Sequence, residues 1–468
     1  MIVNKVKSKH ILKDRRFSAG YFLNEDAANS LKLEENANMC VPLSAVATVW
    51  NPPIFKRQFC QNTDNAIPYC QSSDVNNAIE GSDVYINKAQ ALKVGSVVTD
   101  KDILVTGFGT IGSARLVNEL SNGISYANNV CRIRVNDSSK YGYIYAFMTS
   151  KYGRSQLNKN ASGSVVRYIE APGIKKTLIP IFSEITQEEI HKLIQEASAL
   201  RVEANKLLRE ADILFLKELN IDQDLLSQLA HSSESATTLS FKVARSQISS
   251  LSIRSRTYSE RLNMIRKCFQ SLPYKKLIDL LEYPAVKGGR YKRIEVSIDS
   301  SNAVELLNQG DLHNLKPKGK IISKKYIDNI ENQTAVKNMI IVPAVGTLGE
   351  NEIFSKPLFV YGYLEGKVLS EHLLRIMPDS KKIPPGYLFT VLKSKLFFRV
   401  FRSLVYGTNL LYYILPLLHE FPIPRLANNI ESEIADKVKV AYEKLTIGNK
   451  KENKAIEIVE KEIESWQK

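Results

Sequence analysis

The sequence predicts an α+β protein built from two copies of one mixed α/β globule, each followed by a long helix, with the two helices paired. Three observations carry this expectation: colinear internal repetition across the 468 residues, a heptad-patterned segment at the matching place in each copy, and short β-rich runs between those segments. A chain of this length is also too long for one ordinary core, and the length prior is two to four domains.

The repetition comes first. IPYCQSSDV at Ile67–Val75 pairs with VELLNQGDL at Val304–Leu312, and ILVTGFGTIG at Ile103–Gly112 pairs with IIVPAVGTLG at Ile340–Gly349, both at an offset of 237 residues. Later pairs share an offset of 244: Gly142-Tyr143 with Ser150-Lys151 against Gly386-Tyr387 with Ser394-Lys395, Gly163 against Gly407, and Ile179-Pro180 against Ile423-Pro424. Each match is short, but chance does not keep the whole series in order.

Each copy ends in the same kind of element. After Ile179-Pro180, the Thr186–Glu189 stretch (TQEE) has the form of a capping box. Ile190, Ala197, Ala204 and Ala211 then recur every seven residues, interleaved with Leu193, Leu200, Leu207 and Leu214. Two such rows make a coiled-coil seam, and alanine knobs permit close approach of a partner helix. After Ile423-Pro424, Asn428–Glu431 (NNIE) offers a cap and the seam reads Ile434, Val438, Ala441, Leu445, Gly448, Ala455 and Val459. Gly448 costs roughly 1 kcal/mol relative to alanine and marks a place for a kink.

Between the helices, strands are expected at Ile103–Thr106, Asn129–Val135, Met339–Val342 and Leu358–Tyr363, and a helix at Ile144–Lys151. The polar, Ser-rich stretch Leu225–Thr238 reads as the junction between copies. Composition fits a water-soluble globular chain, with 44% hydrophobic and 24% charged residues. The net charge of +15 and pI near 9.3 suit a polyanionic partner. Five cysteines (Cys40, Cys60, Cys70, Cys131, Cys268) without CxxC spacing imply neither a disulfide framework nor a zinc site. The N-terminal stretch lacks a signal-like apolar core and Leu410–Leu418 is far below the ~20 residues of a membrane span, so a cytoplasmic protein without membrane contact is expected.

A globule with a Gly-containing loop, an Ile-Pro step and a heptad helix, all duplicated, resembles the specificity subunits of type I restriction-modification systems across essentially the whole chain. In that family an "ipyl…di"-like segment, a strand entering a Gly-x-x-Gly loop, a late "sG…v" and an "iPlP" step precede the helix. Here they correspond to Ile67–Val75, Ile103–Gly112, Ser162-Gly163 with Val165-Val166, and Ile179-Pro180, with Arg201–Ala211 as the helix face. The second copy departs from the pattern, with Glu305 in place of Pro68 and Pro343 inside the glycine-loop strand, and after the first copy's proline step the usual "eQ" is only approximated by Gln187-Glu188.

The resemblance implies target-recognition domains at 1–183 and 233–427, and spacer helices at 184–232 (with the junction) and 428–468 that form an antiparallel coiled coil. It implies double-stranded DNA as target, each domain reading one half of a bipartite site, two DNA methyltransferase subunits docked on the helices, and a restriction (helicase-nuclease) subunit. Those methyltransferases flip out an adenine and methylate it. The helix residues expected to build the docking element are Ile190, Leu193, Ala197, Leu200, Ala204, Leu207, Ala211, Ile434, Val438, Ala441 and Leu445. Two other functions stay open: a stand-alone adenine-N6 methyltransferase, and a DNA-binding scaffold of another defence system.

Polar side chains read base edges while Lys and Arg on phosphates fix register. The base-reading candidates are Gln71, Ser72 and Ser73 with Asn308 and Gln309 opposite, then the loop residues Thr110, Ser113 and Arg115 with Thr347, Glu350 and Asn351. Lys56-Arg57 and Lys292-Arg293, each after an aromatic residue (Phe55, Tyr291), are the phosphate candidates. Gly107–Gly112 fits GxGxxG, but no helical stripe follows and the copy has lost its first glycine, so a tight turn near the DNA backbone is expected and no cofactor. Asn51–Ile54 (NPPI) resembles the NPPY loop of adenine methyltransferases but lacks its fourth-position aromatic and is not repeated at Glu282–Ala285. His10, His191, His231, His313, His372 and His419 have no metal-ligand spacing, and His191 is read as solvated. No catalytic residue and no metal is expected.

Overall fold

The computed structural model describes residues 24–77, 81–82, 84–109, 111–162, 167–230, 241–350 and 352–466, with Ser8, Ile11, Leu12 and Phe22. The chain divides into two units, one from Met1–Val202 with Ile447–Lys468, the other Glu203–Thr446.

In the first unit the strands are β1 (Cys40–Pro42), β2 (Ala47–Trp50), β3 (Phe59–Cys60), β4 (Ala66–Cys70), β5 (Tyr85–Asn87), β6 (Ile103–Thr106), β7 (Ala114–Leu116), β8 (Ser125–Tyr126), β9 (Val130–Val135) and β10 (Leu178–Pro180). One sheet has the order β2-β9-β6-β7 with antiparallel neighbours. β6 is buried at all four positions, as a continuous apolar run requires when both faces are covered. A second sheet has the order β3-β5-β4-β8, in which β4 runs parallel to β8, and β1 pairs with β10.

The second unit repeats this plan with β11 (Tyr274–Lys276), β12 (Val286–Lys287), β13 (Ala303–Leu307), β14 (Lys320–Ser323), β15 (Ile340–Pro343), β16 (Val345–Gly346), β17 (Leu358–Phe359), β18 (Val368–Leu369), β19 (Leu373–Ile376), β20 (Val405–Tyr406), β21 (Leu411–Tyr413) and β22 (Pro422–Pro424). Its sheets are β12-β19-β15-β17, β14-β13-β18 with β13 parallel to β18, and the pair β11-β22, with β16-β21-β20 added. Registers match too: Ile103 faces Ile133 in one unit and Ile340 faces Ile376 in the other. The duplication read from the sequence is therefore a duplication of topology.

The repeated motifs have structural jobs. Ser150 and Ser394 each cap the second helix of a helix pair, accepting from the N–H of Gly153 and Phe397 at 3.2 Å. The pairs are Tyr141–Thr149 with Lys151–Asn160, and Pro385–Lys393 with Lys395–Ser403. Tyr143 and Tyr387 donate their hydroxyls to the carbonyls of Pro180 and Pro424, at 2.5 and 2.8 Å, which anchors each Ile-Pro step. Gly142 and Gly386 let each helix pair approach a long helix: a Cβ would lie 3.0 Å from the Cα of His191 and 2.8 Å from that of Ala435.

The long helices are Glu184–Glu218 and Asn428–Ser465. In the first unit Glu196 pairs with Lys451 at 2.6 Å. In the second, Glu203 pairs with Lys444 at 2.5 Å and Glu210 with Lys437 at 2.9 Å. Along one helix the number rises by seven as it falls by seven along the other, so the helices run antiparallel. The helix is continuous through Gly448, with no interruption there, and the glycine faces the other long helix, where a Cβ would approach the Ala197 carbonyl to 3.2 Å. Among the described residues, no helix is long and apolar enough to cross a membrane.

Several expectations are corrected. Ile190, Ala197, Ala204 and Ala211 are buried as read, but Leu193, Leu200, Leu207 and Leu214 are only half-buried. The innermost second row is Ile194, Arg201, Leu208 and Phe215, because the helix packs on a globule as well as on its partner and buries a wider stripe. Ile434, Val438 and Ala441 are buried and Leu445 is half-buried; the row continues through Glu452, which the apolar pattern skipped. The first long helix begins two residues before Thr186, with the Ser183 hydroxyl accepting from the Thr186 N–H at 3.2 Å. Leu358–Tyr363 yields only a two-residue strand, and Gln223–Ala230, which overlaps the start of the supposed junction, is a helix with Leu229 buried. His191 is buried, not solvated; its Nδ1 accepts from the Gly142 N–H at 3.2 Å and its ring meets Tyr141 edge-on.

Arg201 and Glu452 form an ion pair buried within the helix seam, to which Tyr145 adds a hydroxyl donated to Glu452 at 3.2 Å and Asn449 an amide oxygen accepting from Arg201 at 2.8 Å. Removing one partner strands a buried charge, at a cost of about 3–5 kcal/mol. Glu452→Ala should therefore lower the urea-denaturation midpoint sharply, whereas Arg201→Met combined with Glu452→Leu should recover most of the loss. A single substitution as mild as the double would show that the pair is not buried in solution.

Candidate nucleic-acid interface

Most of the polar candidates gather at two equivalent turns. In the first unit β4 ends at Cys70 and the chain bends through a turn of 3-10 helix, Ser72–Asn76. The turn is closed by the Gln71 N–H donating to the Asp74 carboxylate at 2.7 Å. In the second unit β13 leads into the same bend, and the Asn308 N–H donates to Asp311 at 2.8 Å. The two aspartates, at the 237 offset, give both turns one geometry.

In the first unit the turn borders a cavity of about 410 Å³, lined by Arg57, Tyr69, Gln71, Ser72, Ser73, Asn76, Thr106, Phe108, Gly109, Ala127 and Asn129. The glycine loop forms part of its wall. Gly107 donates to the Asn129 carbonyl at 3.0 Å and accepts from Ile169 at 2.9 Å, and a Cβ there would meet the Asn129 oxygen at 2.9 Å. Gly109 and Gly112 have φ of +74° and +80°, which only glycine adopts readily. The segment joins antiparallel β6 and β7 instead of leading into a helix, so it is a hairpin loop and not a dinucleotide fingerprint. Arg57 lies over the Tyr69 ring at 5.5 Å, and Lys56 is exposed. The Ser72 hydroxyl and the Asn129 Oδ1 are buried with no hydrogen-bond partner among the described residues.

The second unit presents different chemistry on the same frame. Arg293 donates to the Asn308 side-chain oxygen at 3.2 Å and pairs with Glu371. Burial pushes the Glu371 carboxyl up, but a backbone hydrogen bond and the Arg293 charge outweigh it and hold the group below its usual range. Lys292 is exposed, as is Thr347. Gln309 Oε1 and His313 Nε2 are buried with no partner among the described residues.

Two candidates are corrected. Arg115 is 3% exposed and its guanidinium donates to the carbonyls of Val75 and Asn77, so it braces the Ser72–Asn76 turn from behind and does not reach a ligand. Glu350 is committed to Arg399 through two contacts of 2.7 and 2.8 Å, with Arg402 at 3.8 Å. Ser113, half-buried, donates its N–H to Thr106 at 3.2 Å, which closes the loop. Thr110 and Asn351 lie outside the described residues, as do Gly163, Val165 and Val166. Asn51 of the NPPI segment spends its amide on the Asn128 carbonyl at 3.0 Å and the Ala171 N–H at 2.9 Å. It ties two backbone segments together.

The sequence reading missed Phe108, Asn129 and the arginines Arg132 and Arg375. Phe108 was visible as an aromatic inside the glycine loop that its copy replaces with Val345. Arg132 and Arg375 are fully buried in β9 and β19 and donate to main-chain carbonyls, including Ser96 and Tyr126 in one unit and Leu369 in the other. Burial pushes Arg132 down to about 10.

Comparison with solved structures gives likenesses to the S subunit of a type I restriction-modification system from M. genitalium and to the HsdS subunit from Thermoanaerobacter tengcongensis. The first is 13% identical over 91% of this chain and 94% of that one, with a TM-score of 0.32. The second is 12% identical over 90% and 95%, with a TM-score of 0.27. A third, from a study of the assembly of a type I restriction-modification system, is 11% identical over 91% and 95%, with a TM-score of 0.25. No family model matches the chain, and no curated protein matches it.

His313 supplies a pH test of the second turn. Burial, with a smaller contribution from Lys356, pushes its imidazole from 6.5 down to about 4. The folded protein therefore resists a proton that the unfolded chain accepts, and stability is lost as pH falls from 6.5 toward 4, by about 3 kcal/mol. Across this window the denaturation midpoint of the wild type should fall relative to that of His313→Gln as pH is lowered, because the variant lacks the titrating group. A constant gap would mean that the ring is not buried neutral.

Proposed function

We propose that the chain is the DNA-sequence-recognition subunit of a type I restriction-modification complex. In this reading each unit reads one half of a bipartite target, the long helices set the spacing between half-sites and dock two methyltransferase subunits with a restriction subunit, and the chain carries no chemistry of its own. The observation that supports it best is the repetition of one α/β topology, each copy leading into a long helix that pairs antiparallel with its counterpart. A 35-residue helix is ~50 Å long at 1.5 Å per residue, enough to separate two major-groove footprints by about one DNA turn. Exposed Lys56 and Lys292 beside the paired turns, on a chain of net charge +15, suit phosphate contacts, and the amides and hydroxyls of the turns suit base edges.

The test is reconstitution with an adenine methyltransferase subunit of this class. Alone, the chain should transfer no label from S-adenosylmethionine to DNA, since Asn51 is committed to backbone; with the partner, labelled adenine should appear at a split sequence. Label transferred by the chain alone would instead favour a stand-alone methyltransferase.

Lys56→Gln and Lys292→Gln should each weaken binding to every duplex and reduce the slope of log K against log salt by about 0.9. Gel shifts at several salt concentrations read this directly. A change confined to sequence preference would remove these lysines from the phosphate set.

A further inference from the structure

The cavity beside β4 has chemistry that base-edge reading does not use. Among the described residues its lining carries one cation, Arg57, and no carboxylate. It also holds an aromatic platform, because Phe108 is stacked on Tyr168 at 5.5 Å with the rings 14° apart. Ser72 and Asn129 contribute buried polar atoms with no partner among the described residues. An unpartnered buried polar atom is costly, so two bordering one cavity point to a ligand that satisfies them. The volume, about 410 Å³, lies at the small end of the ~300–1,000 Å³ of ligand sites and fits a single flat heterocycle with its sugar phosphate.

The other copy keeps a buried polar atom without a partner among the described residues at the place of Ser72, Gln309 Oε1, but it lacks the aromatic lining. Leu306 and Val345 stand where the first unit has Tyr69 and Phe108, and the Asn308 amide is held by Arg293. The aromatic lining therefore belongs to one unit and does not follow from the shared frame.

We propose that this cavity binds one nucleotide, its base against Phe108 and hydrogen-bonded by Ser72 and Asn129, its phosphate at Arg57. The nucleotide comes either from a base rotated out of the duplex or from free solution; the first source rests on the DNA-reading function proposed above, the second does not. Stacking on an aromatic platform accepts any base, while the two polar atoms choose among them.

The experiment uses the full chain. It is titrated calorimetrically with the four deoxynucleoside 5′-monophosphates, and separately with duplexes carrying 2-aminopurine in a mismatch, where extrusion is least costly. One monophosphate is expected to bind at one site per chain, or the 2-aminopurine fluorescence to rise on complex formation. Ser72→Ala and Phe108→Val should each weaken that signal roughly tenfold. Ser72→Ala should do so with no fall in melting temperature, because the hydroxyl it removes has no partner to lose. Monophosphate binding assigns the free nucleotide, and a fluorescence rise without it assigns the extruded base. Neither signal, or a signal untouched by both substitutions, overturns the proposal. If duplexes are still retained in a gel shift in that case, the DNA-reading function stands without the cavity; monophosphate binding without duplex retention would have the opposite meaning.

Discussion

The register of the long helices rests on one buried ion pair. Glu196, Glu203 and Glu210 recur every seven residues, and so do Lys437, Lys444 and Lys451. A slip of seven would set Glu203 against Lys451 or Glu196 against Lys444, again glutamate on lysine. The exposed ladder is therefore nearly blind to register, and each rung contributes only a few tenths of a kcal/mol. The pair Arg201–Glu452 is different. A slip would strand both charges among apolar neighbours, and a buried polar group at one seam position is a well-attested way to fix register. Gly448 against Ala197 acts in the same sense, since a Cβ there would come within 3.2 Å of the Ala197 carbonyl.

This constraint explains why the heptad pattern was legible in the sequence and its centre was not. Apolar periodicity finds Ile190, Ala197, Ala204 and Ala211 because they are apolar and spaced by seven. It cannot find Arg201 and Glu452, whose charge argues for solvent until each is seen to have the other as partner. The shift from the leucine row to Ile194, Leu208 and Phe215 has a related cause. A pattern of residue types shows which faces are apolar, but a globule packed on the same helix decides which apolar face is innermost.

The duplication was legible because its surviving residues hold backbone. Ser150 and Ser394 cap helices, Gly142 and Gly386 admit a neighbouring helix, and Ile179-Pro180 and Ile423-Pro424 lie in paired edge strands anchored by a tyrosine. Substitution at such places breaks geometry, so short matches outlast the divergence of everything around them. Arg132 and Arg375 belong to the same class but are charged residues in otherwise largely apolar strands, and Arg132 shares its strand with the exposed Arg134, so the sequence alone argues for solvent until their carbonyl partners are seen. Among the site candidates, Arg115 and Glu350 were misread for the reverse reason. A charged residue in a loop suggests a contact with something outside, yet both are consumed in holding their loops in place.

What differs between the copies is therefore as informative as what they share. The aspartates Asp74 and Asp311 fix one turn in both, so side chains at equivalent positions leave the backbone from the same place. On that fixed frame Gln71, Ser72 and Ser73 are exchanged for Asn308, Gln309 and Gly310, and an aromatic wall for an aliphatic one. Because the brace comes from the backbone, Asp and the carbonyl-bound arginines, these exchanges do not disturb it. A frame held by residues that touch no ligand leaves the remaining side chains free to diverge, and two copies of it can come to recognise different chemistry while keeping one fold.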